Sequence, residues 1–278
     1  MKVWAALLAL MAGLASAAPP ASQSDFALTG AMTQGGVVTG MVPAGTVELR
    51  LGDQPVPVEA DRHFLIAFDR DAGPTTALVA RLADGRRVER ALTIAPRAWR
   101  IERINAPMRP TKSSEAFLAL RKPELEAIAA ARAVRTDAQG WRQAFIWPRV
   151  GRISGLFWSQ RVYQGQPGAY HGGVDVAGAT GVPVVAPAQG VVVLAAADKP
   201  FTLEGHLLMI DHGRGLSSAF LHLSRIDVQV GQAVAQGQRI GAVGATGRAT
   251  GPHLHWGMKW NDARIDPILL VGPMLQGR

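Results

Sequence analysis

Short runs in which apolar and polar positions alternate dominate this chain, and helical spacing emerges in one region only. From about Gly30 to Ile94 the runs are separated by turn residues. Thr46 to Leu51 alternates, Phe64 to Phe68 is a buried-strand run, and Ala77 to Leu82 leads through Ala83-Asp84-Gly85 into a further alternating run from Val88 to Ile94. Asp-Gly between two such runs signals a hairpin. Strands at this spacing predict a small antiparallel β-sandwich over 29–98. Residues 99–148 break the pattern. Pro107, Pro110 and Lys112-Ser113-Ser114 read as linker, and Pro123-Glu124-Leu125-Glu126 opens an alanine- and arginine-rich stretch ending near Arg135. Proline in a first turn with acids beside it predicts a helix start there. From 149 to 271 the chain is β again. Apolar runs at Val182–Val185, Val191–Leu194, Leu207–Ile210 and Ala219–Leu221 are punctuated by Gly, Pro, Asp and Asn. Val228 to Val243 reads as short hairpins with Gly231, Gly237, Gly241 and Gly244 at the turns. The expected fold class is all-β: an N-terminal sandwich, a short helical linker and a C-terminal antiparallel sheet domain.

The N-terminus carries a different signal. Met1-Lys2 is followed by the uncharged apolar run Val3 to Leu14 and then Ala15-Ser16-Ala17. A positive start, an apolar stretch and a small-residue cut site predict a signal peptide over 1–17. The run is shorter than the ~20 apolar residues of a membrane span, and no later segment is apolar for long enough. An exported mature chain without a transmembrane segment is expected, in the periplasm or secreted. There is no cysteine, which excludes disulfides, thiolate metal sites, a cysteine nucleophile and a lipidated N-terminal cysteine. Loss of Lys2 with the leader lowers the formal charge from +8 to +7. A basic surface outside the cytoplasm suits anionic partners such as wall polymers or lipid head groups. No arginine cluster is interleaved with aromatics, so nucleic acid is not an expected partner.

Chemistry concentrates in the last domain, where six of the seven histidines fall between 171 and 255. In Tyr170-His171-Gly172-Gly173-Val174-Asp175, an imidazole and a carboxylate four apart can share a metal if the backbone turns, and two glycines permit the turn. A loop hydrogen bond between His171 and Asp175 satisfies the same spacing. In Pro252-His253-Leu254-His255-Trp256, strand alternation points His253 and His255 to one face and Leu254 and Trp256 to the core. A metal or a bound anion relieves two adjacent imidazoles. His222, within Phe220-Leu221-His222-Leu223, reads by itself as an ordinary core histidine with satisfied nitrogens. Taken together, two histidines and one carboxylate leave a tetrahedral zinc one open position for water, the pattern of a catalytic site.

The H-x-x-x-D motif at His171 and Asp175 and the H-x-H motif at His253 and His255, in that order, resemble those of the lysostaphin-type or LytM-type zinc endopeptidases, peptidase family M23. Pro187-Ala188-Gln189-Gly190, Ile210-Asp211-His212-Gly213, Leu221-His222-Leu223 and Gly237-Gln238 resemble it too. The likeness covers roughly 150 to 270. It implies a LytM-like, barrel-sandwich-hybrid-like sheet with a groove. It implies Zn2+ held by His171, Asp175 and His255, with His222 and His253 as the catalytic pair. The implied substrate is the peptide of bacterial peptidoglycan. Members that have lost ligands act as regulators of other wall hydrolases, whereas all five positions are kept here; a regulatory partner remains compatible with the N-terminal sandwich.

Other motifs lead elsewhere. Asp211-His212-Gly213 reads as a hairpin turn, His206 as a residue at the groove's edge and His63 as a surface or satisfied histidine. Ser217 and Ser218 lie near His222, but Gly215-Leu216-Ser217-Ser218-Ala219 is not the G-x-S-x-G elbow. The Gly241 to Gly251 stretch lacks the Lys-Ser or Lys-Thr of a phosphate loop. The hairpins near Val230 to Val243 also resemble biotinyl and lipoyl carriers, for which Lys259 is the nearest modifiable lysine. A carrier has no use for the histidine cluster.

Overall fold

A computed structural model of the protein describes residues 26–108 and 114–274. The expected signal peptide over 1–17 lies outside the described residues. Among the described residues no helix is long and apolar enough to cross a membrane.

Strands between 27 and 93 form two antiparallel sheets. One joins Ala27–Gly30, Val37–Met41 and His63–Ala67; the other joins Gln54–Pro55, Thr46–Leu51, Thr75–Leu82 and Arg87–Thr93. Val38, Phe64 and Ile66 from the first sheet and Leu49, Leu78 and Leu92 from the second are buried in one apolar cluster, as in a sandwich. The Asp-Gly signal is borne out: Thr75–Leu82 pairs with Arg87–Thr93 across a turn in which Gly85 has φ +86°.

The C-terminal half is built on an eight-stranded antiparallel sheet. Its order is Ala233–Val234, Gly190–Ala195, His206–Gly213, Leu216–Leu223, His253–Trp260, Val174–Ala177, Ile153–Gly155, with Ala263–Ile265 added beside His253–Trp260. A second, three-stranded sheet contains Pro183–Val185, Arg239–Ala242 and Arg225–Ile226. Val234 and Ile240 therefore belong to different sheets. The expected hairpins between 228 and 243 do not form, and Gly241 and Gly244 serve close approach rather than turning. A Cβ at Gly241 would stand 2.6 Å from the Arg225 carbonyl oxygen, and one at Gly244 would stand 2.4 Å from the Ser224 nitrogen.

The stretch expected to be linker is more structured than its prolines suggest. Ile101–Ile104 pairs in parallel with Gln160–Tyr163, which pairs in turn with Gln166–Tyr170. The helix runs Glu115–Ala133 and starts eight residues before Pro123, because Ser114 accepts the Phe117 N–H at 3.1 Å as its N-cap. Pro123 lies inside it and removes one backbone donor, an unfavourable change of about 3 kcal/mol in an isolated helix. Tertiary anchors offset that loss. Arg121 is bonded to Glu124 at 2.5 Å and to both oxygens of Glu204 at 2.6 and 3.0 Å. Ile128 and Ala131 pack with Leu207, Met209 and Leu194. The helix thus lies on one face of the large sheet.

Sandwich and sheet share one continuous apolar cluster. Ion pairs add to it: Arg97 to Asp266 at 2.7 Å, Arg214 to Glu59 at 2.6 Å and Arg142 to Asp61 at 2.9 Å. The Arg70 guanidinium lies over the rings of Trp99, Trp158 and Tyr170, 4.1 Å from the Tyr170 centroid.

Candidate metal centre

Strand register creates the site. Val174–Ala177 and His253–Trp260 are neighbours, with Asp175 directly opposite His255. Leu254 and Trp256 are fully buried, which turns His253 and His255 to the other face. His171 arrives from just beyond Gln166–Tyr170. Its N–H donates to the Ser159 carbonyl at 3.1 Å, and its carbonyl accepts from Trp158 N–H at 2.8 Å.

Three donor atoms converge. His171 Nε2 is 3.0 Å from Asp175 Oδ1 and 3.0 Å from His255 Nδ1, and His255 Nδ1 is 2.9 Å from Asp175 Oδ1. His171 Nδ1 donates to the Leu156 carbonyl at 2.9 Å, so in the neutral ring the Nε2 lone pair faces the cluster. Two imidazole nitrogens and a carboxylate oxygen this close suit a small divalent cation. Burial drives His255 below the usual histidine range, helping it offer a lone pair. Burial acts the same way on His171, but the bond to Asp175 and its charge outweigh that and leave His171 raised. Burial likewise works against the Asp175 carboxylate, yet the two histidines hold its pKa far below the ordinary range.

The glycines have specific reasons. Neither Gly172 nor Gly173 is left-handed; a Cβ on Gly173 would meet the Trp256 carbonyl oxygen at 2.3 Å, so close approach rather than turning demands glycine there. Gly155, opposite Asp175 on Ile153–Gly155, had no role in the sequence reading. A Cβ on it would lie 2.4 Å from Asp175 Oδ2 and 3.0 Å from His171 Cε1. Glycine inside a strand is the signal that marks such an approach.

His222 and His253 stand beside the cluster with ring centroids 4.9 Å apart. His222 Nδ1 donates to the Thr246 carbonyl at 2.9 Å and His253 Nδ1 to the Gly251 carbonyl at 2.8 Å, which leaves both Nε2 atoms available. His253 Nε2 is 3.7 Å from Asp175 Oδ1. Burial lowers the His222 pKa, keeping that ring neutral near pH 7. Thr246 was missed because it acts through its backbone oxygen. Its hydroxyl donates to the Leu223 carbonyl and accepts the His206 N–H.

The remaining candidates have other duties. His212 lies within the strand His206–Gly213, and the turn falls at Arg214-Gly215. It is fully buried, donating from Nδ1 to Gln189 and accepting the Ser218 hydroxyl at Nε2, both at 2.8 Å. Ser218 also accepts the Trp256 indole N–H, so its hydroxyl is engaged in the core. His206 donates from Nδ1 to the Ala196 carbonyl. Lys259 pairs with Ser217 within His253–Trp260 and is not at a hairpin tip, which removes the carrier reading.

The sequence model of peptidase family M23 matches residues 169–267, the segment that contains the convergent side chains. Peptidoglycan DD-endopeptidase ShyA of Vibrio cholerae is 47% identical over 88 residues, 32% of this chain and 20% of that protein. DD-carboxypeptidase/endopeptidase Mpg of Neisseria meningitidis is 37% identical over 103 residues, 37% of this chain and 23% of that one. The chain matches about a fifth of the length of these curated relatives. A solved structure from Pseudomonas aeruginosa assigned to peptidase M23 aligns far more fully, with 30% identity over 86% of this chain and 95% of that one and a TM-score of 0.65. Likeness over nearly the whole of both chains, with the family's pattern falling on the segment from before His171 to beyond His255, makes this protein a member of peptidase family M23.

Proposed function

We propose that this protein is an exported zinc-dependent endopeptidase that hydrolyses peptide cross-links or stems of bacterial peptidoglycan. The observation carrying this reading is the convergence of His171 Nε2, Asp175 Oδ1 and His255 Nδ1 beside two further histidines with free Nε2 atoms. His171, Asp175 and His255 would hold the ion. When bound, zinc supplies an acidified water and a Lewis acid for the scissile carbonyl. The protein's own residues do the rest. His171 is fixed in one tautomer by Leu156, and Asp175 is held ionised between two imidazoles. His222 and His253 are oriented by backbone carbonyls, so beside the cluster each keeps an Nε2 that accepts a proton and, once protonated, donates. That pair takes the proton of the attacking water and offers N–H to the developing oxyanion, a contribution on the order of 10²- to 10⁴-fold.

The names of the curated relatives, a peptidoglycan DD-endopeptidase and a DD-carboxypeptidase/endopeptidase, support the substrate, and a peptidoglycan substrate supports an exported protein. Retention of all five side chains favours an enzyme over a wall-binding regulator. Incubation of zinc-loaded protein with purified peptidoglycan, followed by mass identification of the fragments, tests the reading. Wild type should release cleaved peptides and His255→Ala should not. No cleavage by wild type carrying one zinc per chain would leave the regulator as the better account.

A further inference from the structure

A groove of about 230 Å³ runs from His255 between the large sheet and the helix Glu115–Ala133. Its floor is set by strand alternation. His255, Gly257 and Lys259 face it from one strand, and Leu221, Ala219 and Ser217 face it from the next, with Ser217 opposite Lys259. Gly257 keeps the floor low; a Cβ there would sit 3.1 Å from the Gly172 carbonyl oxygen and 3.6 Å from His255 Nε2. Leu207 and Met209 extend the floor, while Ile128 and Arg132, one helical turn apart, form the wall.

The charges at the far end are unbalanced. Among the described residues neither Lys259 nor Arg132 has a carboxylate within 4.0 Å, although Glu204 lines the same groove. Glu204 is already held by Arg121 through both oxygens. Arg264, which also lines the groove, is neutralised by Asp69. Lys259 is half-buried, and burial followed by the positive charge of Arg132 pulls its pKa below the ordinary lysine range. Asp262 acts on both cations through space and Glu204 on Arg132, yet neither cation is in contact with a carboxylate, so the pair beside Ser217 at the end of the groove is open to an anion.

We propose that Lys259 and Arg132 form a carboxylate-binding subsite that seats a free carboxylate of the peptide substrate. This subsite rests on the peptidase reading of the metal centre. Lys259 lies four residues from His255 on the same strand, about 13 Å along it. That separation matches about four residues of an extended peptide laid along the groove, so the subsite selects peptides by a carboxylate remote from the bond that is cut. Ser217 adds a neutral donor, and the Ile128, Leu207 and Met209 side chains cover the aliphatic part of the ligand.

Binding distinguishes the subsite from the hydrolytic reading. Soluble cross-linked muropeptides and the same pool amidated at its carboxyl groups are titrated by calorimetry into zinc-free wild type, Lys259→Gln and the Lys259→Gln/Arg132→Gln double variant. Wild type should favour the acid pool on the order of tenfold, as for one charge-assisted contact at a partly exposed site. The single variant should lose most of that preference and the double variant all of it, with unchanged melting temperatures. Equal binding of acid and amide pools by wild type, no binding of either, or a preference that survives in the folded double variant overturns the subsite. Cleavage is then assayed with zinc. Selective binding without cleavage sinks the hydrolase reading and leaves the subsite standing, whereas cleavage without selectivity does the reverse.

Discussion

Gly155→Ala is a one-methyl test of the metal centre. The new Cβ would stand 2.4 Å from Asp175 Oδ2 and 2.9 Å from Asp175 Cγ. An ordinary carbon–oxygen contact needs about 3.4 Å, so the carboxylate must retreat by roughly 1 Å or the edge strand must shift by as much. The Asp175 backbone cannot follow freely, because it is paired with His255 on one side and Gly155 on the other. Rotation of the side chain then carries Oδ1 away from His171 Nε2 and His255 Nδ1. Ligand distances tolerate about 0.2 Å, so a shift several times larger removes one ligand of three. Zinc affinity should fall by at least about 100-fold, the upper end of what losses around a ligand cost. Gly155 is not left-handed, so alanine meets no backbone penalty and the fold should survive. Competition against a chromophoric chelator measures the affinity, and circular dichroism checks the fold. A folded variant that binds zinc as tightly as wild type would refute the triad geometry.

His222→Ala and His253→Ala should each lower peptidoglycan cleavage by about 100-fold or more while one zinc per chain is retained; full activity in either, measured by fragment release, would remove that residue from the mechanism. Arg121→Met should leave the carboxylates of Glu204 and Glu124 unpaired in a mostly buried setting, costing about 3 kcal/mol in urea unfolding. It should also lower turnover, because the Glu204 carbonyl holds the His222 N–H at 2.9 Å. Wild-type stability and turnover in that variant would contradict this coupling. His212 is held neutral by burial, with its pKa pulled down to about 4 from 6.5. Below pH 6.5 the unfolded chain therefore binds a proton that the folded chain refuses. Its contribution is complete above about pH 6.5 and declines as pH falls towards 4, by about 2–3 kcal/mol over that window. His212→Gln should flatten that part of the urea-unfolding profile, and an unchanged slope would refute it.

The H-x-x-x-D and H-x-H spacings were legible because they place rare donor types at strand intervals, and period-two alternation alone orients His253 and His255. The strands of both halves were legible for the same reason, each being a local pattern. What stayed hidden was non-local. Ile101–Ile104 shows only four residues of pattern, and its partner Gln160–Tyr163 lies more than fifty positions away. Ser114 reads as linker in the sequence because Pro123 fits a first helical turn; tertiary anchoring of Arg121 and Glu124 overrides the proline. Thr246 supports His222 with a main-chain oxygen, for which side-chain identity gives no sign. The carrier reading of Lys259 failed because the lysine is inside a strand, where it faces the groove.

His222 shows why the fold, and not only the motif, is needed to bring the two proposed acid–base histidines together. Along Leu216–Leu223, Ser217, Ala219 and Leu221 line the groove and Ser218 and Phe220 face the core. Regular alternation would send His222 to the core side, consistent with its reading, on its own, as a core histidine. Two departures prevent this. The register breaks between the pairs Leu208–Phe220 and His206–Leu223, so three steps on one strand match two on the other, as at a β-bulge. His222 itself adopts φ +62°, a left-handed conformation that costs a non-glycine residue on the order of 1–3 kcal/mol. Contacts on every side hold it there: its N–H donates to Glu204, its ring Nδ1 to Thr246, and Thr246 is tied to Leu223 and His206. Glu204 is fixed in turn by Arg121 of the helix. The bulge and the strained residue together rotate the imidazole to within 4.9 Å of His253. The helix that walls the groove therefore also steadies the backbone that carries His222, so one buried arginine couples the proposed substrate groove to the proposed acid–base pair.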